Sequence, residues 1–252
     1  MFAWCFGTHI ALDCFTTGGT HVFWPINAPI STNSIFVADP IYTVPFIVLL
    51  ITLMFFNREN TRRRKINATA LFLSSAYLMI ALVLKGFANT GFEESFKAQN
   101  MEVIDYKSRP TPLNSLLWTV NAEVKDGYYL GYYSVLDENT DVNYLYVPKN
   151  HEVLDPFRED EQVKKVIKMT HGWYTVTPTD SCILVNDLRF GQPMGWRSKP
   201  DEFVFQYRLY EKDDGSIVVG APRPPRPKND EERAEAYDML SAIFNRALGK
   251  KD

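Results

Sequence analysis

The stretch INATALFLSSAYLMIALVL, Ile66 to Leu84, carries no charge and ends at Lys85. Its length approaches the roughly 20 residues that a bilayer-spanning helix needs. Its small residues Ala68, Ala70, Ser74, Ser75 and Ala76 permit close contact with another helix. The long stem of Lys85 reaches toward an interface. Upstream, IYTVPFIVLLITLMFF, Ile41 to Phe56, is also uncharged and is read as a second span. Between the two lie Arg58 and the run Arg62-Arg63-Arg64-Lys65. Short Lys/Arg-rich loops stay in the cytoplasm, so both outer ends are expected to face away from it.

Composition agrees with a chain divided between two solvents. The net charge is only -3, yet long apolar runs crowd the first ninety or so residues while the remainder is charged and aromatic. The one dense basic run sits between the spans, where a membrane accounts for it, and no nucleic-acid partner is expected. Cys5, Cys14 and Cys182 show neither CxxC spacing nor an even count, and are read as free thiols.

The opening segment, Met1 to Leu12, is apolar but too short to span, and lacks the charged start and cleavage site of a signal peptide. It reads as half of a helix in a chain truncated at its N-terminus. His9 and Asp13 are four apart, so on a helix they share a face and are able to place an imidazole nitrogen and a carboxylate oxygen on one metal ion. A hydrogen-bonded pair closing a helix end is the other reading. Gly18 and Gly19 follow as a helix-stop signal. Thr16, Thr17 and Thr20 are either supports for metal ligands or turn caps, and His21 is read as interfacial. Asp39-Pro40 is a helix start by itself, with Asp39 as N-cap, or Asp39 is a third member of the metal site.

Beyond residue 100 the sequence reads as mixed α and β. Leu116 to Leu136 holds aromatic strands about a turn at Lys125-Asp126-Gly127. Asn143 to Val147, Trp173 to Val176, Ile183 to Val185 and Phe203 to Tyr210 add strands, with a turn at Asp213-Asp214-Gly215. Asp155 to Met169 and Asp230 to Leu248 suit surface helices, and Pro222 to Pro227 suits a linker. His151 and His171 are read as ordinary polar histidines. Asp187 and Arg189 are placed on one strand face, as an internal ion pair or a substrate contact.

The string His9-Ile-Ala-Leu-Asp13-Cys-Phe-Thr-Thr17-Gly-Gly-Thr20, then Trp24-Pro25, then Phe36-Val-Ala-Asp39-Pro-Ile-Tyr42-Thr43, resembles the second half of the membrane-bound metal-dependent hydrolase family related to the YdjM inner-membrane protein. The likeness continues through Leu73-Ser-Ser-Ala-Tyr77 and Lys85. It extends to Arg109-Pro-Thr-Pro-Leu-Asn114-Ser-Leu-Leu-Trp118, Gly127-Tyr-Tyr-Leu-Gly-Tyr-Tyr133 and Asn186-Asp-Leu-Arg-Phe-Gly191. It implies a helical membrane-embedded hydrolase domain, distantly similar to zinc phospholipase C and P1-type nucleases, with His9 and Asp13 matching the family's HxxxD element. The family's upstream Pro-Asp-Leu-Asp-like and His-Arg-Gly…His-Ser-like elements are missing here, which points to a fragment or to a natural variant without catalysis.

The fold expected is therefore α+β: N-terminal transmembrane helices forming a partial all-α metal-hydrolase-like domain over residues 1–99, then a mixed α/β soluble domain rich in antiparallel strands over 100–252. The resemblance implies the bacterial inner membrane, and the two spans with their basic loop imply a multi-pass protein with its C-terminal domain extracytoplasmic. It implies hydrolysis of a phosphoester or lipid-type substrate by metal-activated water, with His9, Asp13 and Asp39 as ligands to a divalent ion, zinc foremost. The chain alone, lacking half of the ligands, is expected to be inactive. The alternative is a membrane-anchored protein that binds or senses a ligand without chemistry. The lipid bilayer and an unidentified small-molecule or lipid substrate are the partners in view.

Overall fold

The computed structural model describes residues 2–23, 25, 29–212, 215–220 and 229–250. Trp24, the aspartates of the turn expected at 213–215 and the linker expected at 222–227 lie outside them.

Helix α1 (Phe2–Asp13) buries none of its residues. The chain then folds into a loop pinned to itself by Thr32 N donating to Cys14 O at 2.7 Å and Ser34 N donating to Phe15 O at 2.8 Å. Gly19, rather than ending α1, sits in this loop at φ 60°, where a Cβ would lie 2.6 Å from Ile30 O. Only glycine combines that backbone angle with so close an approach.

Helix α2 (Pro40–Met54) starts as its sequence requires. Asp39 is the N-cap and Pro40 fills the first helical position, where no N–H is needed. At 15 residues α2 is about 22 Å long, short of the ~30 Å hydrocarbon core. The span expected at Ile41–Phe56 therefore does not reach crossing length by itself. Among the described residues one helix is long and apolar enough to cross a membrane, α3 (Thr61–Ala98). The two helices run side by side in opposite directions. Tyr42 meets Tyr77 at 6.2 Å between ring centroids at one end. At the other, Arg63 Nη1 donates to Leu53 O at 3.0 Å and Phe56 O at 2.9 Å, satisfying carbonyls that the end of α2 leaves open.

The 38 residues of α3 span about 57 Å, and its two halves meet different surroundings. Leu71, Phe72, Met79, Ile80 and Val83 are exposed, as a lipid-facing surface would be, whereas Ala88, Gly91, Phe92, Ser95 and Phe96 are buried against a sheet. That sheet is an antiparallel meander of β1 (Asp105–Pro110), β2 (Leu117–Glu123), β3 (Gly127–Ser134) and β4 (Tyr144–Pro148), in sequential order. Trp118, Val120, Ala122 and Tyr133 pack on Phe92 and Phe96. A Cβ on Gly91 would lie 2.5 Å from the Tyr133 ring, so a residue without a side chain lets α3 settle onto the strand.

The opposite face of β2 is covered as well. Leu117 packs on Met239 and Ile243 of α5 (Asp230–Ala247), and Asn121 Nδ2 donates to Leu188 O at 2.6 Å. A second sequential meander follows: β5 (Tyr174–Pro178), β6 (Ile183–Asp187), β7 (Phe205–Glu211) and β8 (Ile217–Gly220). It shares a core with α4 (Glu161–Met169). Both sheets are thus antiparallel and each is preceded by a helix. The ends of α5 and β3 are joined by Arg246, which donates to both oxygens of Asp137 at 2.5 and 2.6 Å.

Strands expected from aromatic alternation appear as β2 to β7, with shifted ends. β1 and β8 were not anticipated. The helix expected over Asp155–Met169 is broken: His151–Phe157 forms a 3-10 turn containing Pro156, and α4 starts afresh at the Asp160 N-cap. Asp187 and Arg189 do not share a strand face, because β6 ends at Asp187 and Leu188–Phe190 is a 3-10 turn.

Phe92→Ala should lower stability by about 3–5 kcal/mol, read from denaturant unfolding of the detergent-solubilised chain. Phe72→Ala, on the exposed part of α3, should change it by less than about 0.5 kcal/mol. Equal losses would show that the apolar half of α3 is packed as tightly as the sheet-bound half.

Candidate functional site

His9 and Asp13 do share a face of α1, with His9 Nε2 3.5 Å from Asp13 Oδ2 and both side chains exposed to solvent. Asp39 is engaged elsewhere. Its Oδ1 accepts from Ile41 N at 2.9 Å and Tyr42 N at 3.4 Å, and its Oδ2 accepts from the Tyr77 hydroxyl at 2.7 Å and the Ser115 hydroxyl at 3.0 Å. Four protein donors already use the lone pairs that a metal would need. Among the described residues no three His, Cys, Asp or Glu side chains come together as a metal site. His9 and Asp13 supply two ligands where a catalytic zinc ordinarily takes three from protein, so the side chains present do not complete such a centre. The remaining histidines stand apart. His21 is exposed, and His151 stacks on Tyr174 at 4.0 Å with its Nε2 2.9 Å from Tyr174 O.

A different cluster forms where α3 enters the sheets. In β1, Lys107 and Arg109 are two apart and project from the face away from α3, opposite Asn121 and Thr119 of β2. Lys85 comes from the end of the apolar run of α3, and Arg189 from the turn after β6. Together these four cations line a cavity of about 370 Å³ closed by Thr17, Ser31, Asn33, Asn89, His171 and Trp173. Among the described residues no aspartate or glutamate lines it.

Three of the four cations have partners. The Lys85 ammonium donates to Thr32 O and, at 3.5 Å, to Ser108 O. Lys107 Nζ lies 4.6 Å from the centroid of the Trp173 ring. Arg189 is clamped by Asp187, with Nε to Oδ1 at 3.0 Å and Nη2 to Oδ2 at 2.7 Å, and the Asp187 side chain is wholly buried. Arg109 differs. It is 7% exposed, and its Nη2 is buried without a hydrogen-bond partner. Gly191 packs against that atom so closely that a Cβ would stand 2.6 Å away.

Burial dominates the electrostatics of the cluster. Burial pushes the Arg109 guanidinium down to about 10, with Tyr132 and Asp187 acting in the opposite direction. Burial also lowers Lys107, Arg189 adds to the effect, and the nearby carboxylates, Asp105 foremost, oppose it. His171 is lowered by burial and then by Arg189 and Lys107, which keeps its imidazole neutral near pH 7. Desolvation is the first cause in each case: cations have been taken out of water without an equal number of anions. An unpaired buried N–H costs roughly 1–3 kcal/mol or more when charged. An anion supplying oxygen acceptors would relieve that cost.

The sequence strings through Lys85, Arg109 and Asn186–Gly191 thus converge in space. They were not legible as a site, because nothing in the local pattern places residues 85, 107, 109 and 189 side by side. The available signal was the alternation of Lys107 and Arg109 about Ser108, which goes unnoticed unless β1 is first read as a strand.

Residues 1–88 match the model of the YdjM inner membrane protein family. The match ends within α3, just past Lys85, so both sheets lie beyond it. Neither the curated proteins nor the solved structures include a match to this chain.

The chain should retain less than one equivalent of zinc after equilibration and gel filtration, by elemental analysis. One full equivalent, lost in both His9→Ala and Asp13→Ala, would show that further ligands reach the α1 pair.

Proposed function

On the premise of that family match, we propose that this chain is a membrane-anchored anion-binding protein, with its ligand held in the Lys85–Lys107–Arg109–Arg189 cavity. The observation that carries the reading is the buried Arg109 Nη2 without a partner, on a residue that lines a cavity with three further cations and, among the described residues, no carboxylate. A guanidinium presents a planar fork of donors suited to phosphate, sulfate or carboxylate oxygens. Lys107 and Lys85 add point charges, and the Asn89 and Asn121 side chains in the wall add polar groups for orientation. Holding an anion in this arrangement requires charge and hydrogen-bond donors and no nucleophile or proton carrier.

The setting supports an anchored receptor. Lys85 stands at one end of the apolar run of α3, while Arg62 to Lys65 stand at the other. With the basic end cytoplasmic, the cavity and both sheets lie on the extracytoplasmic side of a bacterial inner membrane, with α2 alongside α3 as the second apolar helix of the hairpin. A metal-dependent hydrolase acting on a phosphoester or lipid-type substrate is the second reading. The His9–Asp13 pair favours it, and it requires further ligands to arrive beside α1.

Two outcomes follow for the chain in phosphatidylcholine nanodiscs. Inorganic phosphate should bind by isothermal titration, with Arg109→Gln weakening it roughly 10- to 150-fold, as expected for loss of a charge-assisted hydrogen bond worth about 1.5–3 kcal/mol. Lys107→Gln should weaken it less, and wild-type binding should fade as salt is raised. Phosphate binding that is equally tight in both variants would remove the cavity from consideration. Separately, a reporter fused after the last residue should lie outside the cytoplasm. Cytoplasmic activity there would reverse the orientation.

A further inference from the structure

Beside the cationic cavity lies a second chamber, of about 360 Å³, with a different character. Its walls include Phe36, Val37, Tyr132, Phe190, Trp196 and Ile243, and among the described residues no aspartate or glutamate contributes to it. The two chambers have Thr17, Gly18, Arg109 and Arg189 in common. The two guanidiniums therefore stand in the shared wall, with charge on one side and aromatic and aliphatic surface on the other.

We propose that the ligand of this protein is an amphiphilic anion, its charged head between Lys107 and Arg109 and its apolar body in the Phe190–Trp196–Ile243 chamber. This rests on the anion-binding reading above and extends it to the class of molecule. A small inorganic anion would use the first chamber and leave the second, of nearly equal volume, without a role. A neutral hydrophobe would leave the Arg109 N–H unpaired. A molecule with both parts satisfies both chambers at once.

Three features of the wall fit this occupant. Gly191, at φ 77°, lets the Arg109 guanidinium pack against its backbone, where a Cβ would stand 2.6 Å from Nη2, and so fixes the cation in the shared wall. Phe190 and Trp196 are themselves braced, by Phe205 at 4.7 Å and by Tyr132 at 5.4 Å between ring centroids, so the apolar wall is preorganised. Phe36 and Val37 belong to the segment just before α2, so the chamber adjoins the point where the apolar helices begin.

The chemistry is shared by two sources, a membrane lipid with an anionic headgroup and a soluble alkyl phosphate, and the test separates them. The full chain in phosphatidylcholine nanodiscs is titrated with inorganic phosphate, methyl phosphate and hexyl phosphate. Hexyl phosphate should bind at least tenfold more tightly than methyl phosphate, because each buried methylene contributes about three- to fourfold. Val204→Trp, which fills the second chamber from a lining position, should erase that gain while leaving inorganic phosphate affinity within twofold. Phe190→Gln is a second variant expected to reduce the gain, should Val204→Trp fail to fold. Repeating the titration in nanodiscs containing phosphatidylglycerol identifies the source: competition against hexyl phosphate marks a membrane lipid, and unchanged affinity marks a soluble amphiphile. Phosphate binding with no advantage for hexyl phosphate would overturn the amphiphile and leave the anion-binding reading standing. Absence of all binding would take down both. A hexyl advantage that persists undiminished in both variants would mean that the chain partitions into the bilayer, and it too would overturn the proposal.

Discussion

One buried carboxylate ties together three parts of this protein that lie far apart in sequence. Asp39 caps α2 through two backbone N–H groups and accepts hydroxyls from Tyr77 on α3 and Ser115 just before β2. Its side chain is nearly inaccessible. A carboxylate taken out of water is tolerated only when its lone pairs are filled, so its position obliges the start of α2, the middle of α3 and the approach to the first sheet to remain together. The loop carrying Thr17, Ser31 and Asn33 is held near the sheets by the same junction, with Lys85 adding a tie to Thr32.

The long helix α3 turns that local junction into an architecture. Its apolar half presents exposed side chains of the kind that lipid covers, and its other half is buried on β2 and β3 through Ala88, Phe92 and Phe96. Since the helix is continuous, the sheets cannot tumble independently of the apolar hairpin. The cationic cavity sits at the change of surroundings, where Lys85 ends the apolar run. Among the described residues only Arg189 of the four cations is hydrogen-bonded to a carboxylate, and Arg109 bears the cost of desolvation most plainly, by its burial, its lowered pKa and its unpaired Nη2. Natural structures leave few such groups without a task.

Much of this was legible before any coordinates. The Asp39-Pro40 start of α2, the aromatic strands about Lys125–Gly127 and the amphipathic α5 each follow from rules that act within a few residues. The failures are physical too. β1, with Asp105, Lys107 and Arg109 in six residues, has the composition of a solvent-exposed segment and becomes a strand only because β2 supplies its hydrogen bonds. Arg109, on its charged face, is buried because the turn after β6 folds over it, a contact across about eighty residues of chain. Uncharged sequence alone also overstated α2, since the run Ile41–Phe56 is longer than the 15 residues that adopt helix.

The sequence by itself determined an apolar N-terminal region with a basic turn, an aromatic antiparallel body after it, and the pairing of His9 with Asp13 one helical turn apart. Periodicity, capping and hydropathy act locally, and local forces settle those features. Only the tertiary structure decided that Asp39 serves the fold with all of its acceptors, that Lys85, Lys107, Arg109 and Arg189 line one cavity, and that an apolar chamber opens beside them. Such convergence depends on long-range strand register and on the packing of α3 against the first sheet, which no short window of residues encodes.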